Sequence, residues 1–264
     1  MTVAAQTLGI IGFGAFGRFM AKHLAPHFTV IAWDRKHILP DAVAGKSVLT
    51  SILGEAASAD IVVFAVPWDS LKEAATAAAP HLRPGALALD VTSVKSGPAA
   101  LLPKILPENV DLLCTHPLFG PQSGKNGIAG LRIALCPIRI GRDRYRRVRA
   151  FLTGRLYLST FRTTPDEHDR EMAKVQAVTH FMSRALKALG LNPSPLATKA
   201  YEKLQEFSSI VLSDSWDLFL TIQNGNPYAA NARKRLRREM DKLENQLHDG
   251  ELTEPLPPPY AAAF

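Results

Sequence analysis

The chain has 264 residues, 47% of them hydrophobic and 21% charged, an ordinary globular composition that can bury a core without disulfides. Its net charge of +7 gathers in two runs, RIGRDRYRRVR (139–149) and RKRLRRE (233–239). Neither has aromatic residues interleaved as a stripe, so both read as solvated helical faces and not as a nucleic-acid surface. No apolar run approaches the ~18 residues a membrane span requires.

The N-terminus, MTVAAQTLGIIGFG, has no basic segment and no long apolar stretch before its first glycine, so no signal or transit peptide is read and the expected location is cytoplasmic. Short β-branched runs at 7–11, 29–33, 61–65, 86–91, 111–115, 132–136 and 157–163 alternate with helical patterns, the habit of a parallel sheet with crossover helices. Cys114 and Cys136, lying in two of these runs, read as buried reduced thiols. After Pro165 strand character disappears, and apolar residues recur three and four apart, as in Leu204, Phe207 and Val211. The expected architecture is α/β: a Rossmann-type dinucleotide-binding domain over 1–164, then an all-helical dimerisation and substrate domain over 165–264. In TPDEHDRE, Thr164 should cap the first of these helices, with Pro165 first and Glu167 third. The tail TEPLPPPYAAAF is too rich in proline for helix and reads as an extended or disordered arm.

GFGAFG, residues 12–17, has the spacing G-x-G-x-x-G directly after the strand TLGII and opens the helical pattern RFMAKHL. Gly12 permits the tight turn, Gly14 lets the backbone approach a pyrophosphate, and Gly17 packs helix against strand, with Phe13, Ala15 and Phe16 completing the loop. Asp34, ending the second strand, suits a ribose 2′-hydroxyl and favours NAD, whereas Arg35 and Lys36 can reach the 2′-phosphate of NADP. The carboxyl-end rule for open α/β sheets then gathers three loops at the site: AVPW with Val66 and Pro67, DVTSVKS with Ser93, and THPLFGPQSG with His116. A histidine that ends a strand is usually structural; convergence with Ser93 on a dinucleotide site turns the reading toward catalysis. No metal-ligand pattern is read.

These residues reach a family. GFGAFG, AVPW, DVTSVK, THPLFGPQSGKNG, TPDEHDREMAKVQAVTHF and TKAYEKLQEFSSIVLSDSWDLF together resemble the prephenate and arogenate dehydrogenases of tyrosine biosynthesis, most of all the plant-type arogenate dehydrogenases, over 7 to about 230. The resemblance implies an oxidative decarboxylation in which hydride leaves ring carbon C4 for NAD or NADP, and CO₂ leaves C1. It makes His116 the base at the C4 hydroxyl and has Ser93 orient either that hydroxyl or the imidazole. It places Gln176 and His180, four apart on one helical face, toward the ring. Bacterial relatives are expected to clamp a substrate carboxylate with an arginine of the later helices; residues 198–224 hold none, and Lys199 and Tyr201 stand nearest. Gln122 and Ser123, with Lys125, belong to an expected mobile loop over the site. Asp214, expected three apart from Asp217 on one helical face, would meet the arogenate ammonium; otherwise it serves as a helix cap. The expected assembly is a homodimer through the helical domain, without nucleic acid or membrane. The alternatives are prephenate as substrate, a non-catalytic dinucleotide sensor, and a 3-hydroxyacid or imine reductase on the same plan.

Overall fold

A computed structural model of the chain describes residues 6–36, 49–50 and 52–249. The sequence motifs fall within them; the proline-rich tail lies outside the described residues. Among the described residues eight strands form one sheet in the order β3-β2-β1-β4-β5-β6-β7-β8, where β1 is Thr7–Ile11, β2 Thr29–Trp33, β3 Leu49–Thr50, β4 Ile61–Phe64, β5 Leu87–Asp90, β6 Asp111–Pro117, β7 Arg132–Arg139 and β8 Ser159–Arg162. The first six run parallel, and their near-continuous apolar sequences are buried because helices cover both faces. Helices α2 (Leu53–Ala57), α3 (Trp68–Ala78) and α4 (Ser96–Ile105) cover one face around Val62, Phe64, Leu71, Leu102 and Leu112. Helices α1 (Ala15–Leu24) and α5 (Arg142–Gly154) cover the other.

The sheet departs from the all-parallel expectation at its far edge. β7 pairs antiparallel with β6, and β8 then runs parallel to β7. The cause is local: the β6–β7 connection is a run of turns without a crossover helix, and only a helix-length crossover can return a chain parallel. The run expected from residue 157 starts as a strand only at Ser159, because Tyr157 takes the left-handed conformation, φ 55°, in the preceding turn. The basic run at 139–149 likewise is not wholly helical. Arg139 ends β7, and its guanidinium donates to the carbonyls of Val110, Leu106 and Pro107. Cys114 and Cys136 are buried register partners across β6 and β7, both free thiols; burial raises both pKa values, that of Cys136 to about 12.

After β8 every described element is helical. Thr164 caps α6 (Pro165–Met172) through a reciprocal capping box with Glu167. The chain continues through a π-helical segment, Ala173–Val178, into α7 (Thr179–Ala188), then α8 (Lys199–Leu212) and α9 (Trp216–Leu220). A second π segment, Thr221–Gly225, leads to α10 (Ala229–Asp249). A π turn releases backbone carbonyls from the usual ladder. Here the buried Gln223 side chain answers one by donating to Ala177 O at 2.8 Å, while Arg233 donates to Gln223 Oε1 at 2.6 Å. Among the described residues no helix is long and apolar enough to cross a membrane.

Candidate active site

The glycine loop has the geometry its spacing demands. Gly12 has φ +99°, and a Cβ there would stand 2.5 Å from Ala65 O; a Cβ on Gly17 would stand 2.2 Å from Gly12 O. Nothing lies within 4 Å of the position a Gly14 Cβ would take. Two glycines are thus forced by the packing of β1, β4 and α1, and the third leaves open space at the α1 N-terminus, where backbone donors suit a phosphate. The residues present therefore fit a dinucleotide, which Gly12, Gly14, Ala15 and Phe16 would hold with Val66 and Pro67 of the β4–α3 turn beside them.

One loop assignment changes. The Phe13 side chain is wholly buried beneath α1 with the Arg18 guanidinium over its ring, and its N–H donates to Asp34 Oδ2 at 2.8 Å, so Phe13 shapes the loop and offers the cofactor no side chain. Asp34 also accepts from Lys36 N at 2.9 Å; its remaining lone pairs are what a ribose can use. Arg35 is only loosely engaged, 4.0 Å from Glu73.

At the carboxyl ends of β5 and β6 lies a chain of buried polar groups. His116 Nδ1 is 2.9 Å from His168 Nε2, and His168 Nδ1 is 2.8 Å from Asp169 Oδ1. Asp169 further accepts the backbone N–H groups of Lys95 and Ser96, both at 2.8 Å, so it caps α4 from across the sheet–helix junction. Burial alone would raise its pKa; the hydrogen bonds from His168, Ser96 and Lys95 outweigh that and hold the carboxyl below its usual value. Asn226 Nδ2 donates to Asp169 O at 2.7 Å, bringing the α9–α10 turn to the same point.

This pattern assigns the protons. A carboxylate only accepts, so His168 carries its hydrogen on Nδ1; its Nε2 then accepts, and His116 must donate from Nδ1. His116 is left with a lone pair on Nε2, which bonds to none of the described residues. Burial first, then His168 and Lys95 nearby, push the His116 pKa well below the ordinary imidazole value, so the ring is neutral across the physiological range. The fully buried Lys95 ammonium holds the backbone in place, pairing with Asp90 and donating to Thr115 O at 2.7 Å, immediately before His116. Thr115 Oγ1 donates to Asp90 O at 2.8 Å. Sequence reasoning missed His168, Asp169 and Lys95 as site residues, although the motifs EHD and DVTSVK contain them. The half-buried Ser93 makes no hydrogen bond to the imidazole, whose Nδ1 is held by His168; of its two expected partners, only the substrate hydroxyl is left open.

The other expected substrate residues separate into two groups. His180 is buried, and Asp214 Oδ2 lies 3.6 Å from its Nε2. Burial, with Arg184 adding to it, lowers the His180 pKa to about 4, whereas burial raises that of Asp214. Asp214 is neither within a helix nor its cap. The segment breaks after α8, Ser215 Oγ accepts from Leu218 N as the α9 cap, and the face shared with Asp217 does not exist. Gln176 is half-buried in the first π segment, so the spacing to His180 spans a π turn as well as an α turn.

Lys199 and Tyr201, by contrast, sit at the far end of α8. The Lys199 side chain is 94% exposed and pairs with Glu202, and the Tyr201 hydroxyl donates to Asn192 O. At about 1.5 Å per residue, the length of α8 separates them from Asp214 by roughly 20 Å, which removes them from the site of this chain. Gln122 and Ser123 are exposed, and Ser123 Oγ accepts from Gly120 N in its own loop. That loop folds as successive turns and rests on α1, where a Cβ on Gly124 would meet the Phe19 ring at 2.5 Å.

Fold and site together define a Rossmann-type dinucleotide-binding protein with a helical second part and a tautomer-fixed histidine at the strand ends. The family described as "Prephenate dehydrogenase, nucleotide-binding domain" matches residues 39–143, and "TYRAAT1-like, C-terminal domain" matches 185–255. The chain is 34% identical to "Arogenate dehydrogenase 1, chloroplastic" of Arabidopsis thaliana over 91% of its length, and 32% identical to "Arogenate dehydrogenase 2, chloroplastic" over 92%. It spans 39% of the first relative and 70% of the second. A crystal structure of prephenate dehydrogenase from Aquifex aeolicus shares the fold at TM-score 0.75 and 18% identity, covering 94% of each chain. The chain belongs to the prephenate/arogenate dehydrogenase family.

Proposed function

We propose that the protein oxidatively decarboxylates arogenate to tyrosine with NAD or NADP as hydride acceptor. The observation that carries this is the Asp169–His168–His116 chain, which leaves a neutral Nε2 lone pair beside the strand ends where the glycine loop holds a dinucleotide. A nicotinamide bound there supplies the hydride acceptor. His116 Nε2 takes the C4 hydroxyl proton, and the imidazolium that results is held through Nδ1–H by His168, backed by the Asp169 carboxylate. Ser93 orients the hydroxyl. Loss of CO₂ from C1 completes an aromatic ring, so the residues need not stabilise a long-lived anion. Asp214 favours arogenate over prephenate, since its carboxylate suits an ammonium and not a ketone. Asp34 favours NAD, whereas Arg35, only loosely engaged by Glu73, can meet a 2′-phosphate.

The chain divides at 164/165 into a dinucleotide domain and a helical domain, in keeping with the end of β8 at Arg162 and the capped start of α6. The assembly is a homodimer through the helices, supported by exposed Ile210 and Trp216 and by Met240, Leu243 and Leu247 along one face of α10. The reaction belongs to the cytoplasm. The test is NAD(P)H formation from arogenate and from prephenate, each with both cofactors. Turnover of neither substrate would reject the proposal, and faster turnover of prephenate would reverse the substrate assignment.

A further inference from the structure

Four buried side-chain atoms lack any hydrogen-bond partner among the described residues: His180 Nδ1, Ser183 Oγ, Arg184 Nε and Ser208 Oγ. An unpaired buried polar group forfeits the hydrogen bonds it made in water, and folded proteins carry few of them. These four are not scattered. His180, Ser183 and Arg184 are spaced i, i+3 and i+4 on one face of α7, and Ser208 belongs to α8, which packs against it. The two helices run antiparallel, tied by Tyr201 to Asn192 at one end and by Arg184 Nη2 to Asp214 O, 3.1 Å, at the other.

Arg184 is held but not used up. Its guanidinium lies 5.2 Å from the Trp216 ring centre and 5.3 Å from that of Phe219, and these rings stack on each other. Aromatic support of this kind fixes the guanidinium plane while leaving N–H donors for a planar anion. Beside it the Asp214 carboxylate accepts no hydrogen bond from any described residue, and its 3.6 Å separation from His180 Nε2 is too long to be one. An anion receptor and an unmet carboxylate thus adjoin, with a buried imidazole next to both.

We propose that Arg184 completes the side-chain subsite to which Asp214 belongs in the proposed reaction, binding the carboxylate of the substrate's amino-acid side chain while Asp214 meets the ammonium. The inference rests on the proposed reaction and extends it by assigning the carboxylate partner. The arginine was sought in 198–224, and the chain carries it instead on α7, one turn after His180. A lone ring carboxylate would face repulsion from Asp214; a carboxylate and an ammonium on one carbon satisfy both partners together. The neutral His180 accepts a further ammonium hydrogen.

The test uses the cofactor-loaded enzyme and three phenols: L-tyrosine, tyramine, which lacks the carboxylate, and 3-(4-hydroxyphenyl)propionate, which lacks the ammonium. L-Tyrosine should bind at least about tenfold more tightly than either, and Arg184→Gln or Arg184→Lys should weaken L-tyrosine about tenfold or more while leaving tyramine within about twofold. Asp214→Asn should weaken L-tyrosine and tyramine but spare the propionate. Equal weakening of all three by the Arg184 variants, or no weakening, overturns the assignment. NAD(P)H formation separates this from the parent reading: turnover of arogenate with an unchanged KM in Arg184→Gln refutes only the subsite, whereas no turnover by the wild type refutes the reaction.

Discussion

Replacing His168 by leucine removes the acceptor of the His116 Nδ1–H bond, 2.9 Å long in the structure, and severs His116 from Asp169. In the resting enzyme this is the loss of a neutral hydrogen bond. At the transition state the bond is made by a ring that is becoming a cation, and a hydrogen bond to a charged group contributes about 1.5–3 kcal/mol. At 1.36 kcal/mol per decade, kcat should fall about 10- to 150-fold, with the cofactor KM little changed because the glycine loop lies apart. Glutamine, whose side-chain oxygen can accept from Nδ1–H, should recover part of the loss. The assay is the initial rate of NAD(P)H formation at saturating arogenate, with circular dichroism to establish that each variant folds. A folded His168→Leu enzyme whose kcat lies within about twofold of the wild type would refute the assignment of the base's tautomer.

Asp169→Asn leaves at least one of three donors unmet where the helical part joins α4; at about 2–3 kcal/mol the melting temperature should fall by roughly 4–12 °C, measured by scanning calorimetry. The ascending limb of the kcat/KM profile should lie on the acid side of 6.5, the ordinary imidazole value, because the His116 pKa is lowered; a limb centred above 7 would contradict the burial argument. For His180, faced by Asp214 and Arg184, the folded-state pKa of about 4 lies below the unfolded 6.5, so the unfolded chain binds more protons between them. Its contribution to stability is therefore complete above about 6.5 and is lost as pH falls toward about 4, and His180→Gln should flatten the melting temperature across that window. Asp34→Ser should raise kcat/KM with NADP relative to NAD; a wild-type enzyme already strongly selective for NADP would show that Asp34 does not repel the 2′-phosphate. Sedimentation should give a dimer at micromolar concentration, and a monomer alone would contradict the proposed helical interface.

The sheet was legible because its strands are short, apolar and bounded by turns, and the glycine loop because Gly12 and Gly17 answer contacts that only glycine tolerates. The small β3 and the antiparallel return at β7 were not: two residues carry no periodicity, and strand direction depends on the connection more than on the strand. Likewise the π segments leave no mark in a pattern of residues three and four apart. His116 and Ser93 stood out by placement at strand ends. The partners of His116 did not, since His168 and Asp169 act from a helix 52 residues away and look, in sequence, like the polar first turn of a capped helix. Lys199 and Tyr201 misled because proximity in sequence to a motif says nothing about which end of a helix faces the site. Asp214 was singled out by resemblance, and the helical placement expected for it does not hold, since it lies between α8 and α9.

The proposed reaction depends on His116 Nε2 as the base. Single-turnover hydride transfer from arogenate in wild type and in His116→Asn tests it most directly. Loss of a positioned base should slow the variant by about 10²-fold or more and abolish the acid limb, with cofactor affinity unchanged. A transfer rate in His116→Asn near that of the wild type would contradict it.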